Sequence, residues 1–483
     1  MTALIYSYTD YQAKMVPRIA AALTAENQDC LHIGRRTKPV SSPMVRSLGG
    51  FATFDSKGDT LPLLSNPLEF EDQFLNDYID QMTRYSKGLA NRHHALGRHY
   101  EYRDHFHLTA RKILAYLRQN NVTTVLFFNV PHMGDDYLFY RMAEMLNIPV
   151  VMLVNSLFRN RFFSASRLEK IGLISGEIDK AGDVGAFEKL NKELRESVKV
   201  YMGGSYKALD AGLNLRQAIA PMAIILARCP RLLRSPKKLK LALSEIRRIK
   251  SSLGKFRRTK NEVGRDLKAE TFLMWLSGLE RNIAGLPEDF VYVAMHYQPE
   301  MTSSPLGGRY VDQAVLIEQL AAKLPAGMKI VAKENPLQAS IHRSPDFIRR
   351  VSRCENVMMV HPSMDTAYLL QKSKLVATIT GTAGWEAIKA EKPCLSFGYS
   401  WYRDCAGITQ FGPDTDIETA IANAPSQITT EKFVSRLMAR SHSGVIYEAF
   451  LKDTSPEFAL QNEENITRSF VNLMMGRTSP TFA

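Results

Sequence analysis

Short apolar runs alternate with stretches of helical spacing along most of the chain. Runs of strand length lie at residues 3–6, 30–33, 122–128, 150–154, 290–296, 328–332, 357–360, 375–379 and 394–397. Stretches with helical periodicity lie at residues 11–23, 70–119 and 137–146 and near 272–283. Strands that alternate with helices favour parallel sheets covered on both faces. The pattern predicts an α/β protein with two Rossmann-like domains facing a cleft, and ligands at the carboxyl ends of the strands.

The length of 483 residues suits two or three domains. We expect an N-terminal α/β domain at residues 1–265 with a helical insertion at about 70–119. A second α/β domain follows at 266–426, and C-terminal helices with a tail occupy 427–483. We expect the last residues, 477–483, to fray.

Composition narrows the class of protein. The hydrophobic fraction of 45% and charged fraction of 23% are those of a globular protein. Apolar runs all fall short of the roughly 20 residues that span a bilayer. Residues 1–8 resemble a first strand rather than a cleavable leader, so we expect the protein to stay in the cytosol. The five cysteines are scattered without a C-x-x-C pair, which predicts reduced thiols rather than disulfides or a zinc site.

Five of the eleven histidines cluster between His93 and His107. The cluster contains no H-E-x-x-H arrangement, and its neighbours are arginines and tyrosines typical of a polar helical region. We therefore predict no metal site and no cofactor.

The net charge of +13 is concentrated in one segment. Residues 231–260 contain twelve Lys or Arg and a single acid, Glu245, after a short apolar stretch at 218–227. Such a segment, here 218–260, is typical of an element that docks on an anionic membrane surface. A solvated basic helix or an interdomain linker fits equally well. Nucleic acid is less favoured, because aromatic residues do not interleave the charges.

One strand end has the chemistry of a phosphate site. The apolar run 374–379 leads into residues 380–386, TGTAGWE, and residues 386–390 have the pattern of a helix start. A strand that passes through glycine and threonine into a helix presents backbone N–H groups and hydroxyls to an anion. This turn is the best candidate for binding a nucleotide phosphate.

Polar side chains follow other predicted strands. His132 and Asp135 lie after residues 122–128; a capped turn explains Asp135 but not His132. Glu300 lies in a polar run after residues 290–296 and is a candidate catalytic carboxylate, although the run could equally be a hydrogen-bonded loop. Lys333 and the nearby residues 335–336 offer a cation and an amide to a sugar phosphate. Ser363 is as plausibly a helix N-cap as a ligand.

Several of these runs resemble the sequence motifs of a known protein family. Residues 296–300 (HYQPE), 333–336 (KENP), 380–387 (TGTAGWEA), 392–394 (KPC), 397–402 (FGYSWY) and 406–409 (AGIT) are similar to the capsule polysaccharide biosynthesis family. That family includes bacterial transferases that add the acidic sugar Kdo from a CMP-linked donor. The family usually has Lys-Glu-His-Pro at the position of residues 333–336, and this chain has Asn335 in place of the histidine.

The resemblance implies a metal-independent GT-B glycosyltransferase that builds a bacterial surface polysaccharide or glycolipid. It implies a nucleotide-sugar donor held by the second domain and a lipid-linked or polysaccharide acceptor on the side of the first. We expect a position peripheral to the inner membrane and no nucleic acid partner. The candidate catalytic residues are Glu300, His132 and Asp135. The candidate donor-binding residues are Gln298, Lys333, Asn335, Pro336, Ser363, Thr380, Gly381, Thr382, Gly384 and Glu386.

Two other functions remain open. A nucleotide-sugar epimerase or hydrolase would use the same fold and cleft residues without an acceptor or a membrane. A non-catalytic subunit of polysaccharide assembly would keep the fold without the activity, and Asn335 is the feature that favours it.

The charge of the basic segment predicts binding to anionic lipid vesicles. The full-length protein should co-sediment with anionic vesicles and not with neutral ones, because each Lys or Arg near an anionic surface contributes on the order of 1 kcal/mol. High salt should release it, since the Debye length falls to about 3 Å at molar salt. Changing Lys237, Lys238, Lys240, Arg247 and Arg248 to Glu should abolish the binding. Equal binding to neutral vesicles, or none to anionic ones, would reject a membrane role.

Overall fold

A computed structural model describes residues 1–34, 40–50, 74–79, 81–82, 99–176, 271–272, 274–298, 300–336, 338, 343–452 and 454–483. The basic segment, Cys229, His93 and His94 lie outside these ranges. The chain divides into two compact units. The first comprises Met1–Ser197, Leu279–Gln338 and Arg349–Ala483, and the second comprises Val198–Gly278 and Ala339–Ile348. In the second unit, Trp275 contacts Phe347 edge-on at 6.2 Å.

The first unit contains a seven-stranded sheet in the order β13-β6-β5-β4-β1-β2-β3. Strands β1 to β5 are parallel, whereas β6 pairs antiparallel with β5 and β13 with β6. The strands are β1 Thr2–Ser7, β2 Asp29–Gly34, β3 Val45–Gly50, β4 Val122–Phe127, β5 Val150–Asn155, β6 Arg161–Ala165 and β13 His442–Ser443. The four strands predicted for this region correspond to β1, β2, β4 and β5.

The same unit contains a six-stranded sheet, entirely parallel, in the order β12-β11-β10-β7-β8-β9. Its strands are β7 Phe290–Ala294, β8 Lys329–Lys333, β9 Val357–Val360, β10 Leu375–Thr378, β11 Cys394–Ser396 and β12 Ile408–Gln410. All five predicted strands are present, and β9 has the predicted bounds. The predicted α/β class with two sheets built on parallel strands is confirmed.

Helices cover the sheets because parallel strands are apolar on both faces. The described helices include α1 Asp10–Ala25, α2 His99–Gln119, α3 Asp135–Met145, α4 Gln313–Ala321, α5 Pro345–Ser352, α6 Thr366–Lys372, α7 Thr382–Lys389, α8 Ile417–Ala422, α9 Gln427–Arg440, α10 Glu448–Leu451 and α11 Pro456–Met474. On one face of the second sheet, Tyr292 and Val331 pack with Leu369 of α6 and Ala387 of α7. Residues 271–272 and 274–277 are helical, so the helix predicted near 272–283 ends earlier than expected.

An aromatic cluster joins the two sheets of this unit. The Trp401 ring lies 4.9 Å from Trp385 of α7. It lies 5.6 Å from Phe158, in the turn between β5 and β6, and 6.3 Å from Phe163 of β6. Phe433 of α9 stacks on the same ring at 6.4 Å. Aromatic pairs at such separations contribute beyond their buried area. We call these five residues the Trp401 cluster.

The last residues of the chain are packed, so the expectation that residues 477–483 fray is wrong. Thr481 and Phe482 are fully buried. The Phe482 N–H donates to the Ser164 carbonyl at 2.9 Å, and its ring contacts Phe163 at 5.4 Å. The apolar side chain finds a place in the core of the first sheet, which outweighs the entropy of a chain end.

In the described part of the chain, no helix is long and apolar enough to cross a membrane. Four of the cysteines, Cys30, Cys354, Cys394 and Cys405, are free thiols. Among the described residues, no group of three or more His, Cys, Asp or Glu side chains could hold a metal ion.

Replacing Phe482 by Ala should lower the free energy of unfolding by about 3–5 kcal/mol, the usual cost of truncating a fully buried aromatic ring. Urea denaturation would measure it. Thr478, four residues earlier and exposed, provides the control, and its replacement by Ala should change stability little. Similar losses in the two variants would contradict the packing of the chain end.

Candidate functional site at the carboxyl ends of the second sheet

The strand order of the second sheet creates a crevice between β7 and β10. From β7 the chain proceeds to β8 and β9 on one side and then to β10, β11 and β12 on the other. Ligands of open α/β sheets bind where the order reverses, outside the carboxyl ends of the strands. The loop after β7 and the turn after β10 meet at this point. Glu300 and Thr380 lie on these two segments.

Helix α7 begins at Thr382, four residues before the expected start at Glu386. That expectation was wrong because glycine and threonine, which are poor helix formers, here sit in the first helical turn. Gly381 is the N-cap and makes no side-chain capping bond. The turn before α7 is therefore short, and Thr382, Gly384 and Glu386 belong to the helix.

Three donors of the turn are used by the protein itself. The Thr380 N–H donates to Nε2 of His296 at 3.1 Å, and the Gly381 N–H donates to Oγ1 of Thr378 at 3.3 Å. The Thr380 hydroxyl donates to the Thr302 carbonyl at 2.6 Å. These bonds hold the turn against the loop that follows β7.

The N–H groups of Thr382 and Ala383, the first two of α7, have no acceptor among the described residues. The side chain of Thr382 is exposed. A helix N-terminus carries about half a positive charge, and its open N–H groups point along the helix axis. An anion in the crevice would meet these two groups and the Thr382 hydroxyl.

Glu300 is half-buried and tied to the same turn. Its Oε2 accepts a hydrogen bond from the Thr302 hydroxyl at 2.7 Å. The carbonyl of Glu300 accepts from the N–H groups of Ser303 and Ser304 at 3.1 Å and 2.9 Å. Because the Thr302 carbonyl also accepts the Thr380 hydroxyl, Thr302 connects Glu300 to the turn before α7. The polar run is thus a hydrogen-bonded loop, and it also brings a carboxylate to the crevice.

Gln298 is turned away from the crevice. Its Nε2 donates to the Val311 carbonyl at 2.5 Å, and its N–H donates to Oε1 of Gln338 at 2.9 Å. Gln338 returns a bond from Nε2 to the Gln298 carbonyl at 3.2 Å. The side chain is 2% exposed, so these contacts brace the loop after β7. A donor-binding role for Gln298 stays a prediction.

Lys333 and Glu386 form the charged part of the site. The Lys333 ammonium donates to the Met364 carbonyl at 2.7 Å and to Oγ1 of Thr366 at 2.5 Å. Burial lowers the pKa of Lys333, while Asp365 and Glu386 raise it. The Glu386 side chain is exposed, yet enough protein surrounds its carboxyl to raise its pKa, against the opposing charges of Lys389 and Lys333. The two charges are therefore within electrostatic range of each other.

The remaining predicted residues of this sheet line its surface. The Asn335 N–H donates to Oε1 of Glu334 at 2.8 Å, and Pro336 is exposed. Ser363 is exposed, and its hydroxyl pairs with Nδ1 of His361 at 2.7 Å. The N-cap of α6 is Asp365, whose carboxylate accepts from the Ala367 N–H at 2.8 Å, so the N-cap interpretation of Ser363 is wrong.

Gly384 has a packing role. A Cβ at this position would lie 2.3 Å from the Tyr402 hydroxyl and 2.8 Å from Cε2 of the same ring. The Tyr402 hydroxyl donates to the Gly381 carbonyl. The missing side chain of Gly384 thus lets a buried tyrosine reach the N-cap of α7.

His132 and Asp135 lie at the first sheet, after β4, where β1 and β4 form its own point of reversal. The His132 ring stacks on Tyr8 at 6.1 Å, and its Nδ1 bonds the Val130 carbonyl at 2.6 Å. The loop is held by buried Asp136, whose carboxylate accepts from the N–H groups of His132, Met133 and Tyr137. Burial and the nearby Asp136 raise the pKa of Tyr8.

Sequence reasoning missed two contributors. Tyr447 reaches this edge and bonds Asn129 across 318 residues, a separation that no local pattern reveals. His296 was noted only as part of a run. Its position directly after β7 was the available signal.

Residues 301–442 match the family model for the capsule polysaccharide biosynthesis protein. The match extends from the loop after β7 to the end of α9 and includes Lys333 and the start of α7. It excludes His132 and His296. The predicted resemblance to this family is confirmed over that part of the chain.

Two solved structures, a transferase and an epimerase, are similar to this chain at low sequence identity. KpsC, a beta Kdo 2,7 transferase from Thermosulfurimonas dismutans, is 10% identical, with 97% of this chain and 99% of that chain covered and a TM-score of 0.32. The UDP-GlcNAc 2-epimerase from Methanocaldococcus jannaschii is 12% identical, with 91% and 99% covered and a TM-score of 0.23. No curated protein matches the sequence.

Replacing Gly384 by Ala should destabilise the protein by about 1–3 kcal/mol, because the added methyl group would overlap the fixed Tyr402 ring. The matched control is Gly412→Ala, where a Cβ meets open space. Thermal unfolding of both variants would measure the difference. Equal stability of the two would contradict the close packing at the start of α7.

Proposed function

We propose that this chain is a glycosyltransferase that moves a sugar from a nucleotide-sugar donor to a growing bacterial surface polysaccharide or glycolipid. The observation that carries the proposal is the start of α7. Its two open N–H groups lie at the crevice of the second sheet and within the part of the chain that matches the capsule family. A nucleotide phosphate is the anion that this activity requires there.

The proposed donor site uses the helix start to stabilise the leaving nucleotide. The N–H groups of Thr382 and Ala383 would bind a phosphate oxygen, and the helix dipole would stabilise the charge that develops on it. Lys333 would add a fixed positive charge from the end of β8. Glu386, one turn further along α7, would accept hydrogen bonds from donor hydroxyls. These groups would perform the task without a metal. The proposed donor is a CMP-Kdo-like sugar nucleotide or one with another base.

Glu300 is the proposed general base. Its carboxylate would take the proton of the acceptor hydroxyl as that oxygen forms a bond to the anomeric carbon. The bond between that carbon and the donor phosphate oxygen breaks, and its electron pair leaves with the nucleotide. His132 and Asp135, at the edge of the first sheet, are the second choice for this catalytic role.

The acceptor side of the proposal rests on sequence. The first domain would receive a polysaccharide or lipid-linked glycan, and the basic segment at 218–260 would dock on the anionic inner membrane. Docking would raise the local concentration of a lipid-linked acceptor. The protein would then act in the cytoplasm at the membrane surface.

Release of nucleotide from a panel of CMP-, UDP- and GDP-sugars tests the activity. Changing Glu300 to Gln should lower kcat by about 10²–10⁴-fold with little effect on donor binding, because the carboxylate acts as a base. Turnover should persist in EDTA. If no donor is bound or turned over by the unchanged protein, the proposal fails.

Thr382→Pro tests the phosphate site directly. Proline fits the first position of a helix, and Gly381 before it is extended, so the variant removes the N–H and hydroxyl while keeping α7. Donor affinity, measured by calorimetry, should fall at least about tenfold, since hydrogen bonds to charged groups contribute about 1.5–3 kcal/mol. Thr382→Ala is the matched control and should lose less, because it keeps the N–H. Equal losses would contradict a backbone contact.

The same assays separate the alternative functions. An epimerase would convert a UDP-sugar without an acceptor and without forming a transfer product. NMR of the UDP-sugar alone would show this conversion. A non-catalytic subunit would turn over no donor. It would bind neither CMP nor UDP, or would bind them equally well after Glu300→Gln.

A further inference from the structure

We infer that His296 is a positioning residue that determines which N–H groups at the start of α7 are left for an anion. The inference deepens the proposed function, because the anion is the donor phosphate. The hydrogen bond between Thr380 and His296, on which the inference depends, can be detected without any ligand.

The imidazole lies directly against the turn. The Thr380 N–H donates to Nε2 of His296 at 3.1 Å, and His296 is 6% exposed. A Cβ on Gly381 would lie 3.0 Å from Cε1 and 3.1 Å from Nε2 of the ring. The ring and the turn approach this closely because residue 381 has no side chain.

The backbone of His296 is clamped by one carboxamide. Oε1 of Gln313 accepts from the His296 N–H at 2.9 Å, and Nε2 of Gln313 donates to the His296 carbonyl at 3.0 Å. Gln313 is the first residue of α4 and is 2% exposed. The end of β7 is thereby fixed to a helix, and the imidazole is fixed with it.

The chemistry of this contact settles the state of the ring. A backbone N–H can only donate, so Nε2 is the acceptor and the ring is neutral with its proton on Nδ1. This nitrogen is therefore not a cationic ligand for phosphate. By occupying the Thr380 N–H, His296 leaves the N–H groups of Thr382 and Ala383 as the open donors of the turn.

The same contact fixes the spacing of the catalytic loop. His296 and Thr302 lie on either side of Glu300, and both bond Thr380, one through the backbone and one through the hydroxyl. These two bonds join the loop after β7 to the turn after β10. Loss of the imidazole should therefore disturb the phosphate site and the position of Glu300 together.

A scalar coupling across the hydrogen bond tests the geometry. Full-length deuterated protein, labelled with ¹⁵N in threonine and histidine, should show a coupling between the Thr380 amide nitrogen and Nε2 of His296. The Nε2 signal should be that of an unprotonated ring nitrogen. A proton on Nε2, or the absence of the coupling when both signals are assigned, would overturn the inference.

Two variants test the consequence. In His296→Gln, the side-chain oxygen reaches about as far as Nε2 and can accept the same N–H, so affinity for CMP or UDP should stay within about threefold of the unchanged protein. His296→Leu lacks the acceptor, and its affinity should fall about tenfold, the usual limit for one neutral hydrogen bond. Should the leucine variant fail to fold, His296→Asn replaces it, because the shorter amide does not reach Thr380.

Equal losses in the glutamine and leucine variants would overturn the inference, because the acceptor would then not be what matters. Amide shifts add a second readout. On nucleotide addition, the Thr382 amide should respond and the Thr380 amide should not, whereas in His296→Leu both should respond. If the unchanged protein binds no nucleotide, the proposed function fails, and the coupling alone decides the role of His296.

Discussion

The position of the candidate site depends on the packing of two tryptophans. Trp385 lies in the first turn of α7 and is 1% exposed, and Trp401 contacts it at 4.9 Å. Trp401 also contacts Phe163 of the first sheet and Phe158 in the turn before that strand. A close-packed aromatic contact tolerates little movement, since interiors are packed as densely as organic crystals. The contact that joins the two sheets therefore also sets the direction in which the helix N-terminus points.

Around this helix start, the protein satisfies some donors and leaves others open. Thr380 and Gly381 give their N–H groups to His296 and Thr378. The next two N–H groups have no partner in the described ranges. Backbone donors inside a protein are nearly always hydrogen-bonded. Two neighbouring N–H groups without a protein acceptor at a helix start are therefore suited to a ligand that accepts hydrogen bonds. The hydrogen bonds of Thr380 and Gly381 hold the turn in place, and so they fix the direction of the two open N–H groups.

The central parallel strands were predictable because they are buried on both faces and form continuous apolar runs. Three strands at the margins of the first sheet, β3, β6 and β13, were not. Residues of β3 include two glycines, β6 is antiparallel and begins with an arginine, and β13 has two residues. Each is a strand through its pairing with a neighbour rather than through its own pattern. The family motifs lie in the region of the candidate site, whereas His296 and Tyr447 acquire their contacts from distant parts of the chain.

The first sheet is completed by α11, a helix that is far in sequence from the strands it covers. Phe470 of α11 packs on Phe128 at 5.0 Å, and Asn462 bonds the Tyr11 hydroxyl across 451 residues. Contacts this distant in sequence form slowly, because a long loop must close before they contribute. Met15, Val16 and Ile19 of α1 pack in the same core as Phe470, so α11 completes a layer that α1 begins. Any opening of α11 would therefore uncover an apolar part of this sheet and favour aggregation.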